Sequence, residues 1–147
     1  MQNDHTYVLL LQQARELISP EYGRLSNMAN LSALLYQHLP TINWAGFYLL
    51  DTNILRLGPF QGKPACTEIP LGKGVCGTAA MQKRILIVPD VHQFAGHIAC
   101  DCASQSEIVI PLVEKDVLWG VLDIDAPAKN RFSEQDGLEL QKLTALL

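Results

Sequence analysis

The stretch Glu107-Ile108-Val109-Ile110-Pro111-Leu112-Val113, the tripeptide Glu114-Lys115-Asp116 and then Val117-Leu118-Trp119-Gly120-Val121-Leu122-Asp123-Ile124-Asp125 reads as two apolar runs joined by a polar turn. Both runs are rich in β-branched and aromatic residues, as strands are. A turn this short joins strands only as a hairpin, so the pair is antiparallel. Alternation along the second strand places Trp119, Val121, Asp123 and Asp125 on one face, with Leu118, Leu122 and Ile124 facing the other way. Two aspartates project together from an otherwise apolar strand, although Asp is poorly suited to strands.

The chain around this hairpin repeats the theme. Upstream, Trp44 to Leu50 reads as a strand, Asp51-Thr52-Asn53 as a turn and Ile54 to Pro59 as the returning strand. Trp44, Gly46 and Tyr48 share one face, and Ala45, Phe47 and Leu49 the other. A loop containing Gly62 and Pro64 follows. A short helix over Gly74 to Arg84, a compact strand over Ile85 to Val88 and a polar loop from Asp90 to Ser104 lead into the hairpin. Two helices open the chain. Tyr7, Leu11, Ala14 and Ile18 recur at helical spacing before Pro20, and Leu25, Met28, Leu31, Leu35 and Leu39 before Pro40. Ser133 caps a last helix, with Asp136 in the reciprocal position and Leu140, Leu143 and Leu147 as its inner stripe. The order predicts an α+β fold: an antiparallel sheet with the first and last helices packed on one face.

The 147 residues suit a single domain with one sizeable core, and 48% hydrophobic content fits a globular chain. The net charge is −4, without runs of like charge. Nucleic-acid binding needs a concentrated basic surface and is not expected. The N-terminus lacks the basic flank of a signal peptide, and no apolar stretch approaches the length of a bilayer span. The expectation is a cytoplasmic protein with no membrane partner. Its four cysteines, Cys66, Cys76, Cys100 and Cys102, then sit in a reducing compartment, where catalysis, metal binding or simple burial explains a thiol better than a permanent disulfide.

The acids and aromatics on the shared face suggest a pocket. Trp44 and Tyr48 offer apolar walls with polar tips. Asp123 and Asp125, with Glu107 at the start of the neighbouring strand, would bind an ammonium group. Crowded carboxylates do not all ionise, so one could hold a proton near neutral pH. The alternative is a wet sheet face with solvated acids. Cys100 lies in a loop of small residues, three positions after His97. Cys76 lies near the start of the short helix, where the helix N-terminus and Lys73 would lower its thiol pKa. Cys66 follows Pro64 in a loop from which a thiol can swing inward. Zinc has donors here, but there is no C-x-x-C pair, so no metal site is expected and His92 and His97 read as loop-packing or hydrogen-bonding residues.

These segments together resemble the free methionine-R-sulfoxide reductases, a family built on one GAF domain. The resemblance rests on Asn43-Trp44-Ala45-Gly46-Phe47-Tyr48, Gly72-Lys73-Gly74-Val75-Cys76-Gly77-Thr78-Ala79-Ala80, Val88-Pro89-Asp90-Val91-His92, Gly96-His97-Ile98-Ala99-Cys100-Asp101, Ser106-Glu107-Ile108-Val109-Ile110-Pro111-Leu112 and Gly120-Val121-Leu122-Asp123-Ile124-Asp125. It implies a single GAF domain over residues 1–147, with loops and the short helix forming a pocket on the sheet face opposite the terminal helices.

It also implies an enzyme that reduces free L-methionine-(R)-sulfoxide in the oxidative-stress response. Cys100 would attack the sulfoxide and become a sulfenic acid, and Cys66 or Cys76 would close a disulfide on it. Thioredoxin would reopen that disulfide, and no cofactor would be bound. Trp44 and Tyr48 become pocket wall. Glu107, Asp123 and Asp125 become the acids that bind the amino group and polarise the sulfoxide, with Glu107 or Asp125 the proton donor. Backbone at Ile98 and Ala99 would meet the substrate carboxylate, and a homodimer is suggested. Cys102 departs from the family pattern, which has a small residue there, and this leaves the resolving pair open. The rival reading is a GAF domain that binds a small molecule or senses redox state without catalysis.

Overall fold

The computed structural model describes residues 4–98 and 103–147. Helices α1 (Asp4–Leu17) and α2 (Arg24–His38) lead into strands β1 (Trp44–Asp51), β2 (Ile54–Gly62) and β3 (Glu68–Pro70). Helix α3 (Gly74–Gln82) and strand β4 (Leu86–Val88) follow, then the hairpin β5 (Ser106–Glu114) and β6 (Val117–Ala126), and helix α4 (Glu134–Thr144). The strands form one six-stranded sheet in the order β3-β2-β1-β6-β5-β4. Every neighbouring pair is antiparallel.

Two apolar layers flank this sheet. On one side α1, α2 and α4 bury Leu10, Leu31, Leu35 and Leu140 against Phe47, Ile108, Leu122 and Ile124. Tyr7 of α1 donates its hydroxyl to Asp136 of α4 at 2.6 Å, joining the two ends of the chain. Asp136 also completes the capping box with Ser133. On the other side α3 and the connecting loops cover Trp44, Tyr48, Val109 and Val121. The expected α+β architecture is the observed one, with α2 added to the helical face. Among the described residues, no helix is long and apolar enough to cross a membrane.

Three local expectations are corrected. Leu25, assigned to the inner stripe of α2, is 68% exposed, because the stripe begins a turn later at Met28. In α1 the fully buried leucine is Leu10, while Leu11 is only partly buried. In β6 the register shifts, with Leu112 opposite Gly120 but Val113 opposite Leu118. The extra residue, Trp119, turns to the helical side, where the Arg24 guanidinium lies 3.9 Å from its ring centre, and Leu118 joins the opposite layer. A bulge resets strict alternation in this way. It sits beyond Val121, so Asp123 and Asp125 keep the facing read from sequence.

Gly46 of β1 lies directly opposite Phe60 of β2. A Cβ built there would lie 2.3 Å from the Phe60 Cβ and 2.8 Å from its Cα. Backbone cannot yield as a side-chain tip does. Gly46→Ala is therefore expected to cost about 1–3 kcal/mol of stability through overpacking, read as a lower urea midpoint at unchanged slope.

Candidate active site

Strand register assembles the site. Trp44 of β1 pairs with Asp125 of β6, and Asp125 pairs in turn with Glu107 of β5. One rung further, Gly46 pairs with Asp123 and Asp123 with Val109. The lack of a side chain at Gly46 lets Phe60 and the Trp44 ring close in beside it. Helix α3 closes this face from above and points Cys76 at it. Cys76 is 4% exposed, and Glu107 and Asp123 are each 6% exposed. The Cys76 thiol donates to Glu107 Oε2 at 3.8 Å.

Charge crowding follows from that burial. Loss of water and then the neighbouring Asp125 and Glu107 push the Asp123 carboxyl well above its usual range. Among the described residues, its buried Oδ1 has no hydrogen-bond partner. A buried carboxyl oxygen left in this way is costly and marks where a ligand or a proton belongs. Of the three acids, Asp123 is the one whose carboxyl burial and its neighbours raise, whereas the sequence reading favoured Glu107 or Asp125 as proton donor.

Cys76 reverses its expectation. Burial, followed by Asp123, Glu107 and Asp125, pushes its thiol well up, while Lys73 is exposed. Desolvation among acids outweighs the helix N-terminus. Cys76 is a free buried thiol, whereas Cys66 is disulfide-bonded.

Trp44 and Tyr48 both line the pocket, and Phe60 stacks behind Trp44. Trp44 stacks on Tyr48 at 6.0 Å between ring centres and on Phe60 at 5.2 Å. The pocket brings together Trp44, Tyr48, Cys76, Ile98, Glu107, Asp123 and Asp125. Ala99, Cys100 and Cys102 lie outside the described residues. Cys66 packs beside the same apolar layer without lining the pocket.

Sequence reasoning missed Ile69 and Ser104 as lining residues, and it treated His97 as loop packing although His97 also borders the pocket. Ile69 belongs to the three-residue strand β3, too short to show a period. The His92 side chain is exposed rather than packed, and its backbone N–H donates to Asp90 Oδ1 at 3.0 Å. One described group has the spacing of metal ligands: Cys76 Sγ and carboxylate oxygens of Glu107 and Asp123 lie within 4.8 Å of one another.

One antiparallel sheet between two apolar layers, with an acid-lined pocket under a short helix, is the architecture of a GAF domain, and the GAF domain family pattern matches residues 6–147. The free methionine-R-sulfoxide reductase of Escherichia coli (strain K12) is 51% identical over 147 residues, covering 100% of this chain and 89% of that protein. The protein of the same name from Saccharomyces cerevisiae is 49% identical over 146 residues, covering 94% of this chain and 81% of its own length. The solved free methionine-R-sulfoxide reductase of Neisseria meningitidis in complex with its substrate is 39% identical, with a TM-score of 0.93 over 99% of this chain and 89% of that one. The chain belongs to the free methionine-R-sulfoxide reductase family of GAF-domain proteins.

Proposed function

We propose that this chain is an oxidoreductase that reduces free L-methionine-(R)-sulfoxide to methionine in the pocket of Trp44, Tyr48, Glu107, Asp123 and Asp125. The observation that carries the reading at the site is the buried Asp123 carboxyl, pushed up by its neighbours and carrying an oxygen with no hydrogen-bond partner among the described residues. Such a group is a ready proton donor to an oxygen that gains negative charge. The membership established by full-length relatives supplies the substrate class.

In this scheme the Cys100 thiolate attacks the sulfoxide sulfur. The sulfoxide oxygen accumulates charge and takes a proton from Asp123. Methionine leaves with the electron pair, and the oxygen passes to Cys100 as a sulfenic acid. Glu107 and Asp125 bind the substrate ammonium, backbone at Ile98 and Ala99 meets its carboxylate, and the Trp44–Tyr48 wall packs on its methyl group. Engagement of both ends of the amino acid excludes a residue within a peptide chain.

Cys66 then condenses with the sulfenic acid to form a disulfide and water. The disulfide at Cys66 and the free thiol at Cys76 favour Cys66 as the resolving residue. An external dithiol of the thioredoxin type returns both thiols, and no bound cofactor enters any step. We extend the same reading to a homodimer acting in the cytoplasm.

The test is methionine formation from configurationally resolved sulfoxides with dithiothreitol as reductant. Product from the free R form, and none from the S form or from a peptide containing the R form, is the expected result. No methionine from the R form overturns the reading and leaves a ligand-binding or redox-sensing GAF domain.

A further inference from the structure

Trp44 and Tyr48 do more than form an apolar wall. Tyr48, 2% exposed, donates its hydroxyl to the backbone carbonyl of Cys66 at 2.8 Å. Trp44, 3% exposed, donates its indole Nε1–H to the carbonyl of Lys63 at 3.0 Å. Both bonds reach the connection between β2 and β3, residues 63–67. Its far end is closed by a backbone bond from Leu57 N–H to the Thr67 carbonyl at 2.9 Å. The connection is thus held at Lys63, at Cys66 and at Thr67. Pro64 and Ala65, between the first two points, line the pocket. A wall needing only bulk would be served by Phe at either position, since Phe carries no donor to satisfy.

We infer that Trp44 and Tyr48 are positioning residues for disulfide closure: their two donors hold the 63–67 connection in the arrangement in which Cys66 is disulfide-bonded, and so bring the Cys66 thiol within reach of its partner. This rests on the reductase reading for its place in the cycle. In the closing step the Cys66 sulfur attacks the sulfenic sulfur of the partner cysteine. The S–S bond forms, the S–O bond breaks, and the departing hydroxide takes the Cys66 thiol proton and leaves as water. The sulfenic sulfur is reduced and Cys66 oxidised, so no further reductant is needed. The rate of this unimolecular step depends on how often the two sulfurs meet in line. A misplacement of about 1 Å can cost such a reaction on the order of 100-fold. Loss of either donor frees one anchor of the connection and removes the indole or phenol partner of its carbonyl.

Hydrogen peroxide separates closure from sulfoxide chemistry, because it generates the sulfenic acid without any substrate. The reduced wild type, Tyr48→Phe and Trp44→Phe are oxidised with peroxide, quenched over time with dimedone and iodoacetamide, and mapped by mass spectrometry. Circular dichroism confirms that each variant is folded. In both variants the disulfide at Cys66 is expected to form about 10- to 100-fold more slowly than in the wild type, while the dimedone adduct of the partner cysteine accumulates. Closure at the wild-type rate in either folded variant overturns the inference. Methionine formation is read in a separate assay, so the reductase reading and the positioning inference can fail independently.

Discussion

Asp123→Asn is expected to lower turnover by about 10²- to 10⁴-fold, the range that a positioned general acid supplies. The Asn side chain keeps the shape and polarity of the carboxyl, so the pocket is preserved and the proton is lost. The pH profile separates this from a binding defect. The wild-type carboxyl stays protonated well above its ordinary value of 3.8, because burial and then Asp125 and Glu107 oppose its ionisation. Activity that needs the proton falls as pH rises through that raised pKa, and the variant has no such alkaline limb.

Stability carries the same signature with the sign fixed by linkage. The folded state holds a proton that the unfolded chain has released, so ionisation of Asp123 works against folding, and stability falls as pH rises above 3.8 towards the raised value. The buried Cys76 thiol, also pushed up, adds a fall of the same sign above its own ordinary value of 9.0 in both proteins. Asp123→Asn is therefore expected to lose less melting temperature than the wild type as pH rises above 3.8. Equal slopes would show that Asp123 is ionised in the folded protein.

The second large effect belongs to Cys100→Ser, which is expected to lower methionine formation by at least about 10⁴-fold, as loss of a covalent nucleophile does. A serine hydroxyl is far less nucleophilic than a thiolate towards sulfur. Cys66→Ser behaves differently. It still converts sulfoxide once per chain, since attack precedes resolution, but it accumulates a sulfenic acid. Its multiple turnover then depends on a small thiol reaching the pocket. A Cys66→Ser protein that makes no methionine in its first turnover would contradict this division of labour.

The residues that these experiments address were legible to different depths. Period-2 spacing put Asp123 with Asp125 on one face of their strand and Trp44 with Tyr48 on one face of theirs, because the side-chain direction of a strand is a local property. The same rule failed at Leu118 and Trp119, where a bulge depends on pairing with β5. Hairpins were read from their turns, but the pairing of β1 with β6 joins segments some seventy positions apart, and no local pattern encodes it. Strand β3 escaped for its brevity. The Cys76 thiol was given the wrong direction because a helix N-terminus is visible in sequence, whereas burial beneath three carboxylates is not. Resemblance favoured Cys66 for resolution and kept Cys76 as the alternative; the fold buries Cys76 against Glu107 and puts Cys66 in a disulfide.

The most direct measurement is a single turnover without external reductant. Fully reduced protein is mixed with excess free methionine-R-sulfoxide, and methionine and disulfides are counted together. The account predicts one methionine per chain, a disulfide that contains Cys66, and a Cys76 still alkylatable after denaturation. Methionine absent, or formed with Cys76 in the disulfide and Cys66 free, would contradict it.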